Sequence, residues 1–234
     1  MNNKIVIPKS LSRNDISISY VFQKMFSPQG KLVAVECLTR FYSAHISSDY
    51  FFRNAGNRIR EVIFMEQLAL IEKYKNWFLE NNIYATINVD DHTLTLLHDN
   101  RMMSRIQEIG CVHFEINEYS NSLINDYLPA RKDMQTPIFW LDDFGSGYAG
   151  MNIIGRYHFD FIKIDKDTFW YLMKKESGKQ LMKSLITFLY NNKHKVIIEG
   201  VENEEHKQWL QGMDWFAIQG HYWKEVSIDE LIPQ

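Results

Sequence analysis

Short apolar runs of β character recur along the chain, separated by longer stretches with helical periodicity. The runs cover 19–25, 31–38, 84–89, 111–116, 137–142, 159–165, 195–200 and 215–219. Helical patterns fill 59–80, 92–109, 146–157, 168–192 and 203–212. The first repeats Ile63, Phe64, Leu68, Leu70, Ile71, Tyr74, Trp77 and Phe78 along one helix face. Val201-Glu202-Asn203 offers an N-cap to the last. Only the first two runs lack a helix between them, and Ser27-Pro28-Gln29-Gly30 joins them as a hairpin turn. This alternation predicts an α/β fold, a TIM-type (β/α)8 barrel with its first strand antiparallel. The barrel spans 19–232 of a single domain, 1–234. The competing architecture is an open doubly wound sheet, but the chain has no GxxxxGK[ST] to bind phosphate there.

The polar positions at the ends of these runs carry the chemistry. KLVAVE ends at Glu36, YATIN at Asn88, CVHFE at Glu115 and PIFWLDD at Asp142 and Asp143. DFIKID brings Lys163 and Asp165, VIIE ends at Glu199, and WFAIQ ends at Gln219. Acidic residues are poor strand formers and costly to bury, so their recurrence asks for a common cause. Parallel strands would bring these ends to one rim, where so many carboxylates stay ionised only around a cation. The pattern reads as a metal site on a barrel.

Composition narrows the alternatives. With 234 residues and 45% hydrophobic content, the chain can bury a sizeable core. It has no apolar run of about 18 residues to span a membrane, and MNNKIVIPKS has no signal-peptide core, so a cytoplasmic location is expected. Cys37 and Cys111 lack CxxC spacing and are expected as buried free thiols. A net charge of −3 gives no support to polynucleotide binding. The eight histidines show no HExxH or paired metal spacing, and His113 reads as structural. The ten methionines read as core filler.

Several blocks, in order, resemble the EAL-domain phosphodiesterases, which hydrolyse the bacterial second messenger cyclic di-GMP. Glu36-Cys37-Leu38-Thr39-Arg40 is similar to ExLxR, Asn88 stands at the Asn of the VNLS-like strand, and Glu115-Ile116-Asn117-Glu118 resembles ELTE. Asp142 to Tyr148 resembles DDFGTGY, Lys163-Ile164-Asp165 matches KID, Glu199-Gly200-Val201-Glu202 matches EGVE, and Gln219-Gly220 matches the closing QG. Three departures stand out: Lys24 replaces a proline, Cys37 replaces the usual alanine, and residues 221–226 lack the proline that follows QG. These bear on substrate-loop geometry and affinity more than on the metal cage.

The resemblance implies two Mg²⁺ or Mn²⁺ ions per site, which suit oxygen ligands. Glu36, Asn88, Glu115 and Asp142 would hold the first; Asp142 would bridge to a second, also bound by Asp143 and Glu199. Lys163 would hold the attacking water, with Asp165 setting its position, and Gln219 would bond a metal-bound water. Gln23, Leu38 and Arg40 would contact cyclic di-GMP, Arg40 through a phosphate. Glu118 would anchor the loop after DDFG. That loop and the next helix, 144–157, would form a homodimer contact through Tyr148, Met151, Ile153 and Ile154. With only some 18 residues before the first strand and no sensor domain, regulation is expected by expression or by a protein partner. Singly, these residues have plainer readings: Glu36–Arg40 as a surface ion pair, Asp142-Asp143 as a capped turn, Lys163–Asp165 as a structural salt bridge. Three functions stay open: an active phosphodiesterase giving pGpG, a degenerate family member that binds the dinucleotide or a protein partner without catalysis, and a barrel acting on another phosphoester.

Overall fold

The computed structural model describes residues 3–4, 17–41, 48–124, 137–147 and 150–232. Nine strands form one sheet in sequence order: β1 (Asn3–Lys4), β2 (Ser17–Phe26), β3 (Leu32–Phe41), β4 (Tyr84–Val89), β5 (Val112–Asn117), β6 (Phe139–Phe144), β7 (Phe161–Ile164), β8 (Lys195–Ile198) and β9 (Ala217–Gln219). β2 also pairs with β9, which closes β2–β9 into an eight-stranded barrel; β1 lies outside it, against β2. From β3 to β9 all neighbours run parallel, whereas β2 is antiparallel to both β3 and β9. The reversal follows from the short hairpin. Gly30 takes φ 72°, which costs glycine nothing, and its N–H donates to Ser27 O at 2.8 Å. The closing seam is short: only Met25↔Gln219 and Phe26↔Ile218 are paired across it.

Alternation along the strands divides the barrel interior into layers. Ala34, His113, Trp140, Phe161, Ile197 and Ala217 each stand two positions before a polar residue of the site. All six are buried, and most join one apolar cluster with Met25. Trp140 and Phe161 stack at 4.2 Å, and the Trp140 indole N–H donates to His113 Nδ1 at 2.9 Å. His113 is thus structural, satisfied within the floor. The site residues rest on this floor one layer up, towards the carboxyl ends of the strands.

Helices cover the outside, and most are shorter than the periodicity predicts. The 59–80 pattern divides into Asn57–Lys73 and Lys75–Glu80, with Tyr74 leaving helical geometry at φ −111°, ψ 15°. The 92–109 pattern divides into Asp91–Leu96 and Asn100–Ile109, because Asp99 accepts from Arg101 N and Met102 N and starts a new helix. The 168–192 pattern becomes Lys166–Met173 and Glu176–Asn191. Apolar periodicity continues through such breaks because both pieces face the same core. Asn203 caps Glu204–Trp209 through His206 N, as its position predicts. The short helices Ser48–Asn54, Asn121–Ile124 and Ile228–Leu231 carry too few turns to show a period. Cys37 and Cys111 are free and buried. Among the described residues no helix is long and apolar enough to cross a membrane.

Candidate active site

Lys163 sits at the centre of the rim, buried to 1% exposure on β7. Its Nζ lies 2.6 Å from Glu115 Oε2, 2.8 Å from Glu199 Oε1, 2.9 Å from Asp142 Oδ1 and 3.1 Å from Glu36 Oε2. One ammonium therefore faces four carboxylates. Burial alone would lower the Lys163 pKa, but Asp142, Glu115, Glu199 and Glu36 together hold it well above the usual value. Burial pushes Glu115 well above the ordinary carboxylate range, and the charge of Glu36 adds to this. For Glu36 burial is outweighed by Lys163 and by hydrogen bonds from Gln219 and Asn88, so its pKa falls.

Asp142 and Asp143 are consecutive, and a regular strand would point them to opposite faces. The register resolves this. Leu141 pairs with Ile162 and Phe144 with Ile164, so two β6 residues stand against Lys163 alone. That is a β-bulge, and Asp143 absorbs it with φ 55°, the left-handed region that a non-glycine residue enters at a cost. Oxygens of Asp142, Asp143 and Glu199 consequently fall within 4.8 Å of one another. Burial and the neighbouring Asp142 push Asp143 up to about 7. Burial likewise carries Glu199 to about 8, with Asp142 and Glu36 overriding Lys163. The cluster has more negative charge than Lys163 can neutralise and needs further protons or cations.

The donor set fits divalent ions of the Mg²⁺ and Mn²⁺ kind, being made of carboxylate and amide oxygens. Two buried oxygens, Asp142 Oδ1 and Gln219 Oε1, have no hydrogen-bond partner; the Lys163 contact to Asp142 Oδ1 is an ion pair without hydrogen-bond geometry. Asn88 Nδ2 donates to Glu36 Oε1 at 2.6 Å, which leaves its carbonyl oxygen for a ligand role. Gln219 Nε2 donates to Glu36 Oε2 at 2.7 Å and to Gln23 Oε1 at 2.8 Å, so Gln23, Glu36 and Gln219 form one chain across the seam. Glycines follow two of these residues for a steric reason: a Cβ at Gly220 would lie 2.1 Å from Val201 O, and Gly200 needs φ 72°.

A cavity of about 270 Å³ opens above the cluster, lined by Gln23, Glu36, Leu38, Arg40, Asp142, Asp143, Lys163 and Glu199 among others. A second, more apolar cavity of about 340 Å³ adjoins it across Leu38 and Arg40. Thus all three expected substrate contacts line the cavity that holds the acids. Arg40, however, is already engaged: its Nε and Nη2 both donate to the Glu225 carboxylate.

Comparison with known protein families matches residues 7–225 to the EAL domain. The chain belongs to the EAL domain family. Over 210 residues this EAL domain is 29% identical to the cyclic di-GMP phosphodiesterase PdeH of Escherichia coli, covering 87% of this chain and 82% of that one. It is also 26% identical over 175 residues to the anti-FlhC(2)FlhD(4) factor YdiV of Salmonella arizonae, which is 73% of either chain. A crystal structure of the EAL-like domain protein YdiV superposes with a TM-score of 0.80, at 19% identity, over 92% of this chain and 95% of that one. The structural likeness establishes the fold, a TIM-type barrel with its first strand reversed.

Two expectations need correction. Asp165, expected on the same face as Lys163 to set the position of its water, has its carboxylate engaged at the start of helix Lys166–Met173, where it accepts from Thr168 N at 2.9 Å. β7 ends at Ile164, so alternation no longer governs the next side chain. In the expected subunit-contact segment, Tyr148 lies outside the described residues. Ile153 is buried in the barrel core while Met151 is 49% exposed, so the segment presents less apolar surface than its composition suggests. Glu118 is fully buried and accepts from Gly145 N at 3.4 Å and Ser146 Oγ at 3.1 Å, both in the loop after DDFG.

Three residues of the site went unmarked in the sequence reading. Asn117 donates to Asp143 Oδ2, Thr86 donates to Glu115 Oε1, and Glu225 pairs with Arg40. Period two from Asn88 and Glu115 could have found Thr86 and Asn117. Nothing local marks Glu225.

Proposed function

We propose that this EAL domain hydrolyses cyclic di-GMP to linear pGpG with two divalent ions, Mg²⁺ or Mn²⁺. The observation that supports the reading is that Glu36, Glu115, Asp142 and Glu199 converge on Lys163, with Asn88 bonded to Glu36 and Asp143 beside Asp142 and Glu199. Glu36, Asn88, Glu115 and Asp142 would hold one ion, and Asp142, Asp143 and Glu199 the other. The bound ions would supply Lewis-acid activation of a water and charge against the phosphoryl oxygens. The chain's own groups divide the remaining work. Lys163 Nζ holds the carboxylates in one arrangement and offers a donor to the attacking water. Asp143 and Glu199 have raised pKa values in the metal-free rim and would give up their protons to take the second ion. Gln219 Oε1, buried and unpaired, orients a water from the side of β9. Arg40 and Gln23 receive the dinucleotide, and Glu118 keeps the loop at 145–146 fixed.

A second reading has its own support: the similarity to YdiV, named as an anti-FlhC(2)FlhD(4) factor, favours a regulator that binds a protein partner. The intact donor set argues for the enzyme. Incubating the protein with cyclic di-GMP and Mg²⁺ or Mn²⁺, and separating the products, tests this directly. Appearance of pGpG that stops on chelation supports the enzyme; dinucleotide binding without product supports the regulator.

A further inference from the structure

We infer that Glu225 sets the affinity of this site by competing with the substrate's phosphate for Arg40; the inference rests on the cyclic di-GMP reading above. A guanidinium binds a phosphate best through one edge carrying two parallel N–H groups. Here Glu225 occupies such an edge: its Oε2 accepts from Arg40 Nε at 3.1 Å and its Oε1 accepts from Nη2. Arg40 Nη1 also donates to Thr39 O at 3.2 Å. The Nε–Nη2 edge is open to an incoming anion only when Glu225 withdraws.

Glu225 is delivered by a braced loop and not by chance contact. With no proline in 221–226, Val226 keeps an N–H, which it donates to Phe22 O at 3.1 Å, while Phe22 N donates to Val226 O at 2.7 Å. Trp223, two residues before Glu225, packs its ring against Phe26 at 4.6 Å between centroids, and its backbone N–H donates to Gly220 O at 3.3 Å. Both anchors lie on β2, the strand that carries Gln23. The loop therefore holds a carboxylate against the rim opposite its principal anion-binding side chain.

The charge balance gives the contact its direction. The cavity already carries Glu36, Asp142, Asp143, Glu199 and Glu202. Lys163 is spent on Glu36, Glu115, Asp142 and Glu199, which leaves Lys166 and the guanidinium of Arg40 as the cationic side chains lining the cavity for a phosphodiester. Glu225 cancels the guanidinium. The pair is partly open to solvent, with side-chain exposures of 36% and 26%, so exchange with a ligand needs no unfolding.

The test is a double-mutant cycle on cyclic di-GMP binding, with wild type, Glu225→Gln, Arg40→Ala and the double variant, and Ca²⁺ present to occupy the cluster while misplacing the reactants. Glu225→Gln should bind about fivefold tighter than wild type, the scale of a partly exposed ion pair. That gain should vanish in the Arg40→Ala background. Glu225→Ala, which removes the hydrogen bonds as well as the charge, should shift affinity in the same direction. In Mg²⁺ the Glu225→Gln change should lower KM and leave kcat within about twofold. Equal or weaker binding by Glu225→Gln, or a gain that persists without Arg40, would overturn the inference while leaving the dinucleotide reading intact. Binding by none of the four proteins would overturn the dinucleotide reading and the inference with it.

Discussion

Lys163 Nζ and Glu115 Oε2 lie 2.6 Å apart, both sealed from solvent at the centre of the barrel. A buried ion pair contributes little over a well-packed apolar pair, but removing one partner strands the other. Lys163→Met should therefore cost about 3 kcal/mol in metal-free protein at pH 8. Millimolar Mg²⁺ or Mn²⁺ should restore part of this, because cations then neutralise the same carboxylates. Thermal melts with and without metal would show a larger metal-induced rise in the variant than in wild type. An equal rise in both would separate Lys163 from the metal cluster.

Asp142 belongs to both expected ion sites. Asp142→Ala should abolish Mn²⁺ binding at both and reduce hydrolysis by at least about a hundredfold, with the barrel intact by circular dichroism. Calorimetry that still resolves two Mn²⁺ sites would refute the bridging assignment.

Protons and cations compete for the rim. Asp143 at about 7 and Glu199 at about 8 carry protons in part at neutral pH, because their pKa values are raised. A raised carboxyl is protonated below its pKa, so metal must expel the proton there and affinity falls as pH falls. Apparent Mn²⁺ affinity should rise between pH 6 and about 8.5 and level off above it. Calorimetry in buffers of different ionisation enthalpy should detect net proton release at pH 7 and almost none at pH 9. A pH-independent affinity would contradict the raised values.

The backbone at Gly220 has no room for a side chain, since a Cβ there would meet Val201 O at 2.1 Å. That obstacle is main chain and cannot swing aside. Gly220→Ala should cost about 2–3 kcal/mol and displace Gln219, so activity falls along with stability. Denaturant unfolding and product assays on one preparation would check both. A variant with normal stability but lost activity would mean that the strand ends yield where the packing says they do not.

Glu118 accepts from two groups of the loop after Asp143. Glu118→Gln keeps the shape but loses the charge, and Glu118→Ala loses both. Activity should fall in both, by about tenfold in the alanine variant, while Mn²⁺ stoichiometry stays at the wild-type value. Sedimentation of the same variants would show whether a homodimer, if formed, loosens with the loop. Unchanged activity in Glu118→Ala would leave the loop uncoupled from the site.

The barrel and most of its rim were legible because both depend on short-range pattern. A β run ending in Glu115 or Glu199 announces a strand and its carboxyl end at once, and alternation assigns the inward face. Helix ends were harder. Tyr74 and Asp99 break helices whose apolar stripes continue beyond them, so periodicity alone joins the pieces. The bulge at Asp143 was invisible for a related reason: two adjacent acids look like opposite faces until the register slips by one residue. Glu225 is the clearest case of what a sequence withholds. Its partner lies 185 positions away, and only closure of the barrel brings the two together.

The barrel closes at a seam where β2 and β9 share just two paired residues. Gln219 sits on that seam and reaches both Gln23 and Glu36, so the working rim also serves as the clasp of the cylinder. β9 is held by two residue pairs on each side, to β2 and to β8, so spontaneous opening is cheapest around β9, at the mouth of the barrel. An ion or dinucleotide bound at the rim would fasten the joint, and the chain's survival against proteases would then read out how much ligand surrounds it.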